Sequence, residues 1–151
     1  MKQIKNEFNE IAYNFKTKEG LSTTIIHKPG FKRSVAALGT SFGSINLTQK
    51  VDGKIVEHKK GLAHFLEHKL FDDEGEDILA KFSKYGANAN AFTSFDQTVY
   101  YFNTNMDVVE PLKLLLTFVN RFDITEASVE KEKGIIVEEL KMYDKMPEMA
   151  L

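Results

Sequence analysis

Residues 61–71 read Gly-Leu-Ala-His-Phe-Leu-Glu-His-Lys-Leu-Phe, and this stretch carries the most specific pattern in the chain. The pattern predicts a helix from Leu62 to about Phe71. At about 100° per residue, the leucines of this helix fall on one side. The three polar residues His64, Glu67 and His68 fall together on the other side.

His64 and His68 lie one helical turn apart, so both imidazoles can reach one metal ion. Glu67 projects beside them, where its carboxylate could take a proton from a metal-activated water. The order is that of the HExxH zinc peptidases with the glutamate moved next to the second histidine. A plainer interpretation is a solvated helix face with two histidines. Since only four histidines occur in the chain, two at this spacing favour a metal site.

A third protein ligand is needed, and a predicted helix over residues 125–145 offers candidates. Thr125 can cap this helix. Glu132 and Glu139 share its apolar stripe, whereas Glu138 falls on the far side. A carboxylate on an apolar stripe requires a cation or hydrogen-bond donors, such as lysine or backbone amides. Helical phase therefore favours Glu132 or Glu139 as the ligand, and it does not choose between them.

The composition excludes several classes of protein. The chain has 151 residues, a length typical of one domain, and a net charge of −2 offers no basic surface for nucleic acid or an anionic membrane. The absence of cysteine excludes disulfides, thiol nucleophiles and cysteine-ligated zinc. We find no signal peptide and no apolar run that could span a bilayer, so a cytoplasmic location is the default expectation.

The remaining pattern predicts an α+β fold with a mixed, largely antiparallel sheet and helices packed on one face. The expected elements, in chain order, are a hairpin within 9–28 with its turn near Gly20, a bent strand over 34–47, a loop over 49–60, the helix at 62–71, a second helix at 77–85, a strand or hairpin over 89–104, and helices at 107–121 and 125–145.

Four segments together resemble the insulinase/pitrilysin/mitochondrial processing peptidase family, M16, whose members are also called inverzincins. Residues 61–71 resemble the active-site helix of that family. Residues 86–102, which begin Gly-Ala-Asn-Ala-Asn-Ala-Phe-Thr, resemble its G-A-x-x-N-A-x-T segment. Residues 130–140 resemble its E-x-x-x-x-x-x-E helix, and residues 34–47 are placed like the strand before the active-site helix. The likeness is strongest to bacterial members related to the processing peptidases.

The resemblance implies a Zn²⁺ site and a role for each residue. His64 and His68 match the zinc histidines, and Glu67 matches the general base. Glu139 matches the distal zinc ligand and Glu132 the catalytic-site carboxylate that supports it. The family likeness thus selects between the two glutamates that helical phase left open.

The resemblance also implies a substrate-binding strand. The residues that match it are Asn90, Ala91, Phe92 and Thr93, at an edge where family members bind extended peptide by adding a strand. The plainer interpretation of this segment is a core strand in which Phe92 and Tyr101 are simply buried.

The function implied is that of a zinc-dependent endopeptidase acting on peptides or unfolded segments. Family members resemble two homologous halves that close around the substrate. We therefore expect residues 1–151 to be an N-terminal M16 domain whose partner is a missing C-terminal half or a paired homologous subunit.

Three alternatives are considered. The chain could be a non-catalytic zinc-binding subunit or truncated partner of a peptidase complex. A purely structural metal domain is the second. The third is an S-ribosylhomocysteine lyase, whose HxxEH site works with a cysteine; the lack of any cysteine argues against it.

Overall fold

The computed structural model of the chain describes residues 2–8, 10–73, 76–121 and 125–143. The chain divides into two compact units, Met1–Lys32 and Arg33–Leu151, which are described separately. A single domain over residues 1–151 stays a prediction.

The first unit is a three-stranded antiparallel sheet. Its strands β1 (Lys2–Lys5), β2 (Ile11–Lys16) and β3 (Ser22–His27) lie side by side in chain order. Gly20 has a φ of +94° in the turn between β2 and β3, a conformation that glycine adopts without strain. The predicted hairpin is therefore confirmed, and β1 is an addition that the sequence pattern did not indicate.

The second unit contains seven strands and four helices among the described residues. In chain order they are β4 (Ser34–Thr40), β5 (Thr48–Val51), β6 (Lys54–Glu57), α1 (Leu62–Phe71), β7 (Asp72–Asp73), β8 (Glu76–Asp77), α2 (Ile78–Lys84), β9 (Ala87–Thr93), β10 (Thr98–Thr104), α3 (Val109–Phe118) and α4 (Glu126–Tyr143). The main sheet has the order β4-β10-β9, and β5-β6 and β7-β8 form two small pairs.

The core of this unit lies between the main sheet and its helices. Side chains alternate along β10, so Tyr100 and Phe102 are buried on one face of the sheet. Phe82 of α2 and Leu115 of α3 are fully buried against them, and α1 packs on the same face. The opposite face carries exposed apolar side chains such as Val35. Every pairing of the described strands is antiparallel, and the predicted α+β class with helices on one face is confirmed.

The four predicted helices are present, at 62–71, 78–84, 109–118 and 126–143. The end that the sequence predicted for the last helix, at residue 145, lies outside the described residues. The strand or hairpin expected over 89–104 is the β9-β10 hairpin. The strand predicted over 34–47 is shorter than expected, because β4 ends at Thr40.

The loop predicted over residues 49–60 is wrong. β5 and β6 form a hairpin there, with exposed strands and a two-residue turn at Asp52 and Gly53. Both turn residues have positive φ, 49° and 79°, as a type I′ turn requires. The Asp-Gly pair is itself a hairpin signal, and the polar, lysine-rich composition around it obscured the strands.

Among the described helices, none combines the length and the apolar character that crossing a bilayer demands.

Candidate metal centre

Helix α1 begins directly after a glycine and packs between the sheet and α4. Gly61 has a φ of +83° and its carbonyl accepts a hydrogen bond from the Phe65 amide. The helix contacts β9, β10 and α4, so its polar side faces other parts of the protein rather than solvent. The side chains of His64 and His68 are accordingly only 33% and 23% exposed. The two histidines therefore do not lie on a freely solvated helix face.

Helix α4 presents carboxylates to α1. The Thr125 hydroxyl accepts the Ser128 amide and fixes the start of the helix, as predicted. Glu132 is 4% exposed and Glu139 is partly buried, both on the side that faces α1. Glu138 is 72% exposed and pairs with Lys141 at 2.6 Å. The helical phase predicted from the sequence is therefore the phase observed.

Three possible ligand atoms converge between the two helices. His64 Nε2 lies 3.1 Å from His68 Nε2. Glu139 Oε2 lies 3.7 Å from His64 Nε2 and 3.3 Å from His68 Nε2. Among the described residues, these three are the set whose arrangement could hold a metal ion.

The triangle of atoms has the size that a tetrahedral zinc site needs. Bonds of about 2.0–2.1 Å in a tetrahedron separate neighbouring ligand atoms by about 3.3–3.4 Å. In the plane of the three atoms, the point that is equidistant from them lies about 2.0 Å from each. Two imidazoles and one carboxylate also leave a fourth position for water, as in catalytic zinc sites. The residues therefore fit a zinc ion.

Glu132 orients one of the imidazoles. Its Oε1 lies 3.0 Å from His68 Nδ1, and a carboxylate can only accept, so the ring donates from Nδ1. A neutral imidazole that donates from Nδ1 presents its lone pair at Nε2. That lone pair points into the triangle of ligand atoms, the usual arrangement in which a carboxylate supports a metal-bound histidine.

Glu67 has a contact that the sequence did not predict. The Thr93 hydroxyl of β9 donates to Glu67 Oε2 at 2.6 Å, across 26 residues of sequence. An O–H···O⁻ bond of this length belongs to the strong, charge-assisted class. The one sequence signal for Thr93 was its place in the family-like segment 86–102, which indicated peptide binding rather than contact with Glu67.

Tyr100 is a neutral neighbour of the site. Burial of its phenol raises its pKa well above the ordinary value, and the negative charge of Glu67 adds to the shift. Its hydroxyl therefore stays protonated throughout the neutral pH range.

The strand predicted to bind substrate lies at an edge of the main sheet. β9 pairs with β10 alone among the described strands, so its outer edge has no strand beside it in that part of the chain. The turn between them is closed by the Ser94 amide, which donates to the Gln97 carbonyl at 2.8 Å. Because bonded pairs alternate along an antiparallel ladder, Ala91 and Thr93 turn their main-chain groups toward the outer edge.

The side chains of this strand divide between two faces. Ala91 and Thr93 are half-buried on the face that carries α1. Phe92 is 45% exposed on the opposite face, 6.4 Å from the Tyr101 ring, so it is not a buried core residue. Asn90 is exposed, and its Oδ1 accepts the Ala91 amide at 2.8 Å. The structure thus brings Thr93 into contact with Glu67, places Ala91 on the same face of the strand, and turns Asn90 and Phe92 to the opposite face.

Known proteins share this sequence and this fold. A family model described as "Insulinase (Peptidase family M16)" matches residues 23–151. The uncharacterized zinc protease YmfH of Bacillus subtilis is 43% identical over 147 residues, which are 96% of this chain and 34% of that protein. The human mitochondrial-processing peptidase subunit beta is 33% identical over 90 residues, 56% of this chain and 18% of that subunit.

A solved structure is similar over nearly the whole chain. It is an M16-like peptidase from Alicyclobacillus acidocaldarius, with a TM-score of 0.89 and 35% identity over 97% of this chain. The match takes up 34% of the Alicyclobacillus protein. The chain therefore spans about a third of the length of that protein and of the Bacillus relative.

Proposed function

The chain belongs to the insulinase family of peptidases, M16, and we propose that it carries the catalytic centre of a zinc-dependent endopeptidase that cleaves peptides or unfolded segments. The observation that carries the proposal is the convergence of His64 Nε2, His68 Nε2 and Glu139 Oε2 beside Glu67. The word zinc in the name of the Bacillus relative supports the identity of the ion.

His64, His68 and Glu139 would hold the ion, with Glu132 fixing the ring of His68. A bound Zn²⁺ would polarise the carbonyl of the substrate and lower the pKa of a bound water. Glu67 accepts the proton of the attacking water and passes it to the leaving amine as the peptide bond breaks. The two hydrolysis steps therefore use one carboxylate, first as a base and then as an acid.

The outer edge of β9 positions the substrate in this proposal. An extended peptide can pair with the main-chain groups of Ala91 and Thr93, which point outward, after it displaces Asn90 Oδ1 from the Ala91 amide. Main-chain pairing accepts many sequences, so this edge suits peptides and unfolded segments better than folded proteins. Asn90 and Phe92 alternate with these two residues, so their side chains would contact a bound peptide on the face of the strand opposite α1.

The test compares two glutamate variants in the protein as its gene encodes it. Glu67→Gln removes the proton acceptor but leaves all three ligand atoms, so zinc content is retained and cleavage of a quenched unstructured peptide falls by about 10²–10⁴-fold. Glu138→Gln is the matched control, since Glu138 is exposed and turned away from α1. Wild-type cleavage rates in Glu67→Gln would refute the proposed role.

A non-catalytic zinc-binding subunit of a peptidase complex is the second candidate, because the human relative is named as a subunit of a processing peptidase. A C-terminal homologous half, or a paired homologous subunit, would supply the remaining substrate contacts. This candidate is selected if the wild-type protein binds zinc but does not cleave the peptide alone, and if cleavage by its complex with such a partner is unchanged in Glu67→Gln. The cytoplasmic location stays a prediction.

A further inference from the structure

We propose that Thr93 is a positioning residue that holds the carboxylate of Glu67 in place for proton transfer. The inference rests on the proposed role of Glu67 and adds to it a residue that acts through Glu67. Thr93 Oγ1 and Glu67 Oε2 lie 2.6 Å apart, and the two side chains belong to different elements, β9 and α1. Their bond ties the proposed base to the proposed substrate strand.

The proton of the Thr93 hydroxyl is committed to Glu67. A threonine hydroxyl has one proton to donate. The other nearby hydroxyl, Thr98 Oγ1, lies 3.4 Å away and donates its own proton to the Phe42 carbonyl at 2.8 Å. Each of the two threonines therefore has one short acceptor, and for Thr93 that acceptor is Glu67 Oε2.

The main chain around Thr93 is held firmly. Thr93 and Thr98 are directly opposite each other at the end of the β9-β10 ladder. The turn beyond them, residues 94–97, accepts two amides from the loop over residues 41–47: Ser44 to the Ser94 carbonyl and Ile45 to the Phe95 carbonyl, both at 3.0 Å. This bracing fixes where the hydroxyl of Thr93 sits, which a positioning residue requires.

The same residue would contact the peptide and the base. The main-chain groups of Thr93 point to the outer edge of β9, where an added strand would pair, while its side chain points to Glu67. Strand β9 would therefore hold the scissile bond in register and also orient the general base. Replacing the hydroxyl alone should therefore change proton transfer and leave peptide pairing intact.

The experiment measures kcat and KM for a quenched unstructured peptide, with zinc content and melting temperature, in the protein as its gene encodes it. Thr93→Val keeps the shape and the main chain and removes the hydroxyl. We expect kcat to fall about tenfold to a hundredfold, with KM within about threefold of wild type. Thr93→Ser restores the hydroxyl and should recover kcat to within about threefold. Zinc content should be that of wild type in both variants.

Thr104→Val is the matched structural control. Thr104 lies at the other end of β10, and its buried hydroxyl donates to the Gly86 carbonyl and accepts the Met106 amide. This variant should lower the melting temperature while leaving kcat per folded molecule unchanged. Its readout separates a loss of stability from a loss of positioning.

Four results would overturn the proposal: unchanged kcat in Thr93→Val, a Thr93→Ser variant as slow as Thr93→Val, zinc lost from Thr93→Val, or an equal fall of kcat in Thr104→Val. Glu67→Gln in the same assay separates the two claims. An inactive Glu67→Gln beside a fully active Thr93→Val refutes the positioning role and leaves the proposed function standing. An active Glu67→Gln refutes both.

Discussion

Glu132 and Glu138 are six residues apart on α4 and have opposite surroundings. Glu132 is buried and bonded to His68, whereas Glu138 lies in solvent beside Lys141. The sequence predicted this difference, because the 3.6-residue period assigns each position of a helix to a face. It did not predict the Thr93–Glu67 bond, since no periodicity links residues 26 positions apart on a helix and a strand.

Removal of Glu132 should weaken metal binding without removing a ligand. In Glu132→Ala the ring of His68 loses the acceptor that fixes its orientation, so we expect zinc affinity to fall about 10–100-fold. Competition with a chelator of known affinity measures this. Glu130→Ala is the control, because Glu130 is exposed and pairs with Lys133. An equal affinity in the two variants would contradict the supporting role.

At the scale of the elements, the sequence predicted the helices better than the loops. Helices α1 and α4 carry a clear period and lie where it places them. The loop over residues 41–47 has no such period, and its bracing of the β9-β10 turn follows from tertiary contacts alone. The sequence does not show why position 43 in this loop is a glycine. In the structure a Cβ at Gly43 would lie 2.5–2.6 Å from main-chain atoms of residues 94, 95 and 97, so only glycine fits.

Two glycine substitutions should therefore have opposite effects. Gly43→Ala forces the 41–47 loop and the β9-β10 turn apart, so we expect a loss of stability of about 1–3 kcal/mol and a lower kcat through displacement of Thr93. Gly134→Ala meets nothing within 4 Å inside α4 and should stabilise the protein by roughly 0.5–1 kcal/mol. Denaturant unfolding measures both. A Gly43→Ala variant as stable as wild type would contradict the bracing.

At the scale of the whole molecule, the candidate site joins parts of the chain that lie far apart in sequence. His64 and His68 on α1 meet Glu139 on α4, and β9 supplies Thr93 between them in the chain order. Helical phase favoured Glu132 or Glu139 as the third ligand, and the family resemblance selected Glu139. Phase alone says which face of a helix a side chain occupies and not which helix it faces. The chain spans about a third of the length of the Bacillus relative and of the Alicyclobacillus protein.

The central claim is that one zinc ion is held by His64, His68 and Glu139, and the metal content of two adjacent variants tests it most directly. Glu138→Gln should bind one zinc ion per chain with wild-type affinity. Glu139→Gln, a single residue away but facing α1, should bind zinc at least about a hundredfold more weakly, since a direct ligand matters more than the residues that support it. Equal zinc content and affinity in the two variants would contradict the claim.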